Sequence, residues 1–423
     1  MEKIGKYPIL RKLGEGATSI VYLCQDPFNN REVAIKRVSP EALADEQSGH
    51  LYKKLFIAEA SLAGKLIHPH IASIYDAVSE DLEKYIVMEY VEGTTLERYC
   101  DPNNLLPVEV VVEMIFKGTR ALDFASKVGV LHRDIKPANI LVTENMDIKI
   151  TDFGAAITGS ADQTAVAGIG SPAYMSPQQV KDHPLNHQTD IYSMGVVMYQ
   201  LLVGQLPFQA SNNFSMIYQI TTTEPMPVSS LRPELSRSIG YIVKKAMAKE
   251  LEDRYQTWED FSVDLAEAFR NENMSGGENA FAETEKFNTL RGLSFFSNFD
   301  DIELWEVCRF SQWEALGPGQ YLMREGEAGD GFCIVAAGQV KITRRGKLLN
   351  ILDVGECCGE MAYLSRDNHS RGADVSTMID TKVITVKTAA LEGASDATRH
   401  AFDRAFLAIL VDRLALANQR LTA

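Results

Sequence analysis

The run His132-Arg133-Asp134-Ile135-Lys136-Pro137-Ala138-Asn139 puts a carboxylate, a lysine and a carboxamide in one short loop, and a second carboxylate follows in Asp152-Phe153-Gly154. Few reactions need that set at that spacing. Phosphoryl transfer from a nucleotide does. One Asp orients the attacking hydroxyl and accepts its proton, and a Lys neutralises charge on the phosphoryl oxygens. An Asn and a second Asp hold the metal ions that bridge the phosphates. Asp134, Lys136, Asn139 and Asp152 fill those places in order.

Such a loop works only if other elements hold it. Residues 7–38 read as short β-segments around glycines, with Val33-Ala34-Ile35-Lys36-Arg37-Val38 strand-like. Leu55, Glu59, Leu62, Ala63 and Leu66 recur at helical spacing and predict a crossing helix. Tyr85-Ile86-Val87-Met88-Glu89-Tyr90 is a further strand that closes a small N-terminal lobe. From about Val108 to Glu272 helical patterns dominate, most apolar at Val196–Leu202. Asn271–Thr284, rich in Gly, Asn and Glu and without apolar period, reads as a linker. From Tyr321 to Val386 short β-runs alternate with Gly-Asp, Gly-Gln and Gly-Lys turns. Ala401–Leu416 is helical again. The division expected is a domain over 1–270, a linker over 271–284 and a second domain over 285–423.

Composition narrows the function classes. A chain of 423 residues exceeds one ordinary core. A net charge of −15 argues against a general binder of nucleic acid or anionic membrane, since both reward basic surface. No run approaches the 18 apolar residues of a membrane span, and the N-terminus lacks the apolar core of a signal peptide. The six cysteines are scattered apart from Cys357-Cys358, without a Cys-x-x-Cys pair. A reduced cytoplasmic location without structural zinc is therefore expected.

The catalytic run and Asp152-Phe153-Gly154 together resemble the catalytic loop and metal-binding motif of the eukaryotic-type protein kinases. The resemblance covers residues 7–270 and implies an α+β, bilobal fold with a β-rich N-lobe and a helical C-lobe. Leu13-Gly14-Glu15-Gly16-Ala17-Thr18-Ser19-Ile20-Val21 matches the family's glycine-rich loop, with Ser19 at the third glycine. Gly14 and Gly16 would let backbone N–H groups approach phosphates. Lys36, after Val-Ala-Ile, matches the phosphate-holding lysine. Its carboxylate partner is expected to be Glu59, with Glu41 and Glu46 as alternatives. Asn139 and Asp152 would hold Mg²⁺, an ion that takes oxygen ligands and keeps its waters. Leu13, Val21, Ala34 and Leu141 would sandwich the base of ATP, with Met88 behind it and backbone groups of Glu89 and Val91 bonding its edge. The Asp-x-Lys-x-x-Asn form resembles kinases acting on Ser and Thr, so the expected partners are proteins bearing those hydroxyls.

The same resemblance assigns the activation segment. Ser171 stands where such kinases carry a hydroxyl bonded to the catalytic Asp and Lys. Gln178 replaces a glutamate that pairs with a buried arginine, here Arg254, and Asp190 matches the aspartate that braces the catalytic loop. Arg133 implies an activation-loop phosphate; Thr158, Ser160, Thr164 and Ser171 are the hydroxyls available, with Thr164 favoured.

Glu325–Ile342, then Gly355-Glu356-Cys357-Cys358-Gly359-Glu360-Met361-Ala362-Tyr363-Leu364 and Arg371-Gly372-Ala373, resemble the cyclic-nucleotide-binding domains, an antiparallel β-roll with flanking helices. Gly359, Glu360, Met361, Ala362, Arg371 and Gly372 match the phosphate-binding cassette. Arg371 would meet the cyclic phosphate and Glu360 the 2′-hydroxyl, with Arg366 a rival for the phosphate. Gly372 lacks the hydroxyl that favours guanine, so cyclic AMP is expected over cyclic GMP. Arg344-Arg345-Gly346-Lys347 reads as a solvated hairpin turn. The whole implies a bacterial cytoplasmic Ser/Thr kinase governed by a cyclic nucleotide. Two rivals stay open: a constitutive kinase whose β-roll only dimerises, and a nucleotide-binding scaffold without phosphotransfer.

Overall fold

In a computed structural model, residues 2–16, 18–39, 49–79, 83–153, 157–158, 172–273, 283–360 and 370–422 are described. The chain separates into two compact units, 1–274 and 275–423.

The first unit begins with a six-stranded antiparallel sheet in the order β1-β2-β3-β4-β6-β5, formed by β1 (Lys3–Ile4), β2 (Tyr7–Glu15), β3 (Ser19–Asp26), β4 (Arg31–Val38), β5 (Ile74–Ser79) and β6 (Lys84–Glu89). The period-two alternation of β4 sorts its side chains. Val33 and Ile35 enter a core with Ile4, Tyr7, Cys24, Tyr85 and Val87. Ala34 faces the other way, into a cluster with Phe56, Ile86 and Met88, and Lys36 shares that face. Phe56 comes from the helix Gly49–Ala60, here α1.

That helix is shorter than its apolar spacing predicts. Leu62, Ala63 and Leu66 lie beyond it, in tight turns where Leu62 N–H donates to Glu59 O and Lys65 N–H to Leu62 O. Leu62 and Leu66 are buried all the same, so the spacing reported burial rather than helix.

Helices dominate the rest of this unit, with short strands at Gly93–Thr95, Val130–Leu131, Ile140–Thr143, Ile148–Ile150 and Ile157–Thr158. The helices over Val108–Lys127 and His187–Val203 are its central elements, the second with nearly every side chain buried. Gln178, on the short helix Pro177–Val180, answers the question posed by its replacement of glutamate. Its Oε1 accepts from Arg254 Nη2 at 3.1 Å and its Nε2 donates to the Lys249 carbonyl at 3.0 Å. Arg254 also donates to the carbonyls of Ala248, Gln188 and Lys249. Backbone oxygens, not a carboxylate, satisfy the buried guanidinium, and burial pulls its pKa down to about 10.

The second unit carries helices over Glu283–Gly292 and Asp301–Phe310, then eight strands: β7 (Gln312–Leu316), β8 (Tyr321–Met323), β9 (Gly331–Ala337), β10 (Val340–Arg344), β11 (Lys347–Leu352), β12 (Cys357–Cys358), β13 (Asp374–Thr377) and β14 (Thr381–Lys387). They form two four-stranded antiparallel sheets in the orders β7-β14-β9-β12 and β8-β13-β10-β11. Met323, Cys333, Val335, Val340, Leu352, Cys358 and Val375 form a core between them. The Arg345-Gly346 turn has positive φ at both residues, 48° and 76°, as a tight hairpin between β10 and β11 requires. The expected linker is encroached on from both sides, because one helix runs to Asn273 and the next starts at Glu283; residues 274–282 lie outside the described set.

The C-terminal helix spans Asp396–Thr422. Its first turns are anchored: Ser395 N–H and Oγ donate to Glu306, as does Thr398 Oγ1. Phe402 and Phe406 pack on Phe295 and Phe332. Among the described residues no helix is long and apolar enough to cross a membrane.

Next to Arg254, burial also depresses the Lys249 ammonium to about 8, from a usual 10.5. Lys249 Nζ donates to Ile220 O at 2.7 Å and lies over the Phe208 ring. Between those two values the folded chain releases this proton before the unfolded chain does, so this group's contribution to stability rises with pH. Urea unfolding of wild type and Lys249→Met at pH 7.5 to 9.5 (about the window set by that shift) should show wild type gaining relative to the variant as pH increases. Parallel curves would show that Lys249 keeps an ordinary pKa.

Candidate active site

The polar residues singled out in the first unit fall into two clusters. The first is centred on Lys36. Its Nζ lies 2.9 Å from Glu59 Oε2 and also pairs with Asp152 Oδ1. Glu59 follows Phe56 by one turn, and both are 4% exposed. Burial alone would pull the lysine pKa down, but the carboxylates of Asp152 and Glu59 outweigh it and hold the ammonium charged. The Lys36 ammonium, with His132 and Lys136 also within electrostatic reach, holds the half-buried Asp152 carboxyl below the usual range against the cost of desolvation. The rival partners Glu41 and Glu46 lie outside the described residues.

The second cluster is centred on Asp134. Its Oδ2 accepts from Lys136 Nζ at 2.7 Å and from Asn139 Nδ2 at 3.0 Å. Asn139 Nδ2 also donates to the Asp134 carbonyl at 2.8 Å. With its nitrogen committed, Asn139 has its side-chain oxygen left to offer. Asn139 and Asp152 therefore supply oxygen donors from two segments, a set that suits Mg²⁺. No metal chemistry beyond that follows from these residues.

The loop is held under strain. Arg133 and Asp152 adopt positive φ, 66° and 63°, which costs energy for residues with side chains. Asp190, the first acidic residue of the helix His187–Val203, accepts from the N–H groups of His132 and Arg133, both at 2.8 Å. Gln179 Nε2 donates to the Arg133 carbonyl at 2.8 Å. His132 Nε2 contacts Thr151 O at 3.0 Å, and its ring lies 4.5 Å from that of Phe153. Gln179 and Thr151 carried no functional signal in the sequence, because their role depends on which backbone group the fold brings beside them.

Leu13, Val21, Ala34 and Met88 meet in one apolar cluster of the N-terminal sheet. Leu141 is half-buried on the strand Ile140–Thr143, outside that cluster. Glu89 gives its N–H to Ser73 O at 2.8 Å, so what its backbone can offer a base is its carbonyl. Val91 is half-buried just beyond. The Gly16 N–H bonds Ser19 O at 2.8 Å, and a Cβ at Gly14 would meet nothing within 4 Å. Ser171, Ser160 and Thr164 lie outside the described residues; of Thr158 only the backbone is described, paired with Val130.

In the second unit, Arg371 Nη1 donates to the Gly359 carbonyl at 3.1 Å. Gly359 has φ 83°, a left-handed conformation that favours glycine. Glu360 is buried, with the Cys357 thiol on its Oε2 at 3.9 Å. A cation and a buried carboxylate thus flank one glycine, a pairing that fits a cyclic phosphodiester with a free hydroxyl. Gly372 is exposed, with open space around its Cα. Met361, Ala362 and the rival Arg366 lie outside the described residues.

Residues 7–263 match the model of the protein kinase domain, and residues 313–397 match that of the cyclic nucleotide-binding domain. The chain is 35% identical over 284 residues to the serine/threonine-protein kinase PrkC of Bacillus subtilis, covering 67% of this chain and 43% of that protein. It is 33% identical over 289 residues to a probable serine/threonine-protein kinase of Clostridium perfringens, covering 67% and 41%. It is 35% identical over 268 residues to the serine/threonine-protein kinase PknB of Mycobacterium leprae, covering 62% and 42%. The chain therefore spans about two fifths of the length of the curated relatives it matches. With the matched model covering more than half of its length and the catalytic cluster in place, this chain belongs to the protein kinase family.

Proposed function

We propose that the chain is a Ser/Thr protein kinase that moves the γ-phosphate of ATP to protein hydroxyls and is regulated by a cyclic nucleotide on its second unit. The observation that carries the first half is the Asp134 carboxylate, held by Lys136 and Asn139. Asp134 accepts the substrate proton while Lys136, its ion-pair partner, stands ready for the transferring phosphoryl oxygens. Lys36 holds the phosphates already bound, and Glu59 keeps it aimed. Mg²⁺ held by Asn139 and Asp152 would neutralise phosphate charge. The apolar side chains of Leu13, Val21, Ala34 and Met88 cover the base. That the relatives are named serine/threonine-protein kinases supports this reading.

Arg133 supports activation by loop phosphorylation. Its Nε is buried and, among the described residues, has no hydrogen-bond partner. A phosphate on Thr164 would supply one and order the segment.

For the sensor, Arg371 would take the cyclic phosphate and Glu360 the 2′-hydroxyl. The anchored first turns of the C-terminal helix leave the stretch from Leu407 onward, where Leu407 and Val411 are exposed, as the part able to close over the base. Relief of inhibition is the expected sign, and the reduced cytoplasm the expected setting.

Asp134→Asn should lose at least about 100-fold in kcat with ATP affinity nearly unchanged, read by phosphotransfer to a Ser/Thr protein and by calorimetry. Near-normal turnover would refute the assigned base. Cyclic AMP should change wild-type kinase activity by about 5- to 150-fold, the range of typical coupling energies. Arg371→Ala should weaken its binding at least about tenfold, the loss of one charge-assisted bond. Gly372→Ser has room to fold and should shift preference toward cyclic GMP. No binding by wild type, or equal affinity in Arg371→Ala, would leave the β-roll as an interaction module.

A further inference from the structure

Between the backbone assigned to the base and the loop assigned to the metal lies a contact that phosphoryl transfer itself does not call for. Glu89 ends the strand Lys84–Glu89, next to Met88. Its carboxylate accepts from Lys149 Nζ at 2.9 Å on Oε1 and 3.0 Å on Oε2. It also accepts from the Ser73 N–H at 3.1 Å. Ser73 returns the bond, its carbonyl accepting from the Glu89 N–H. Lys149 is the middle residue of the strand Ile148–Ile150, and Asp152 follows three positions later.

The segment His70–Ser73 is stitched to that strand as well. Ile71 bridges Ile150, Ile150 N–H donates to His70 O at 2.8 Å, and Ala72 N–H donates to Ile150 O at 2.8 Å. At the strand's other end Asp147 pairs with Lys117 at 3.1 Å and contacts His70 Nδ1 at 3.2 Å. Residues 147 and 149 alternate with Ile148 and Ile150, both buried, so the charged pair share the opposite face of the strand. Lys149 and Glu89 side chains are only about one-fifth exposed, at 20% and 23%.

A single partly exposed ion pair adds little stability. This carboxylate, however, takes donors from two separate segments, and it ties the strand that ends beside Met88 to the strand that leads to Asp152. We propose that Glu89 and Lys149 are a positioning pair that keeps the base-reading backbone and the metal-holding Asp152 in register, so that binding at one end favours binding at the other. The inference rests on the nucleotide-site reading above. Neither side chain touches the reacting atoms.

The test uses the full chain as wild type, Lys149→Met, Glu89→Gln, Lys149→Arg and the charge-reversed double variant Glu89→Lys/Lys149→Glu. ATP affinity is measured by calorimetry with Mg²⁺ and with EDTA, a readout independent of turnover. The ratio of the two affinities reports how strongly the two ends cooperate. Lys149→Met and Glu89→Gln should keep melting temperatures within about 3 °C of wild type yet lose about fivefold or more of the Mg²⁺-dependent gain, the low end of typical coupling. KM for ATP should rise more than kcat falls. Lys149→Arg should hold most of the gain, and the reversed pair should recover part of it. An unchanged gain in both single variants, or a reversed pair no better than the worse single variant, would overturn the pairing. A variant that lost melting temperature and affinity in both buffers alike would also overturn it, since a purely structural role does that. Failure of wild type to bind ATP at all would instead refute the nucleotide-site reading, and the pairing with it.

Discussion

One half-buried ammonium joins three segments of the first unit. Lys36 lies between Glu59 of the helix Gly49–Ala60 and Asp152 of the Asp152-Phe153 turn. A cation in that position, alone, would cost several kcal/mol to bury; two carboxylates from two other segments offset it. The arrangement therefore requires the strand, the helix and the loop to be in place together. On the nucleotide-binding reading it is also incomplete by design. Phosphates that took Lys36 would compete with Asp152 for the same ammonium, and the Asp152 Oδ1 so released would be free to take part in holding a metal ion.

The Asp134 loop depends on a comparable exchange of strain for hydrogen bonds. Left-handed φ at Arg133 is an unfavourable conformation, and the two N–H groups it presents would be orphaned in the interior without Asp190. Burial raises the Asp190 pKa even with these bonds and the nearby His132 and Arg133 opposing it. Replacing Asp190 with a residue lacking an acceptor would leave two buried donors at about 1–3 kcal/mol each. The geometry of the Asp134 loop is thus set by a residue from another element, the helix His187–Val203.

Much of the catalytic cluster was legible because short-range spacing encodes it. Asp134, Lys136 and Asn139 lie in one loop, and the period-two pattern of β4 puts Ala34 and Lys36 on one face. Glu59 was legible from its neighbours Leu55, Leu62 and Leu66, although the helix ends sooner than their spacing implies, since a leucine in a tight turn buries as well as one in a helix. Gln178 looked like a missing charge. Its two-sided amide instead bonds both Arg254 and a carbonyl, something a carboxylate cannot do, and that choice depends on where Lys249 O falls in space. The clamps by Gln179 on Arg133 and by Lys149 on Glu89 join residues 46 and 60 positions apart; no local pattern marks them. In the β-roll, Gly359 and Arg371 were legible as a motif, whereas the reason for that glycine, a backbone held at φ 83°, required the fold.

The central claim is that Lys36, poised between two carboxylates, belongs to phosphoryl transfer from ATP. The direct measurement is Mg²⁺-dependent transfer of label from γ-labelled ATP to Ser and Thr of a protein substrate, by wild type and by Lys36→Met. The variant should stay folded and bind ATP more weakly, and transfer should fall at least about 100-fold, as expected when the cation that stabilises transition-state charge is removed. Transfer by Lys36→Met at the wild-type rate, or wild type that binds ATP and Mg²⁺ yet labels no protein hydroxyl, would contradict it.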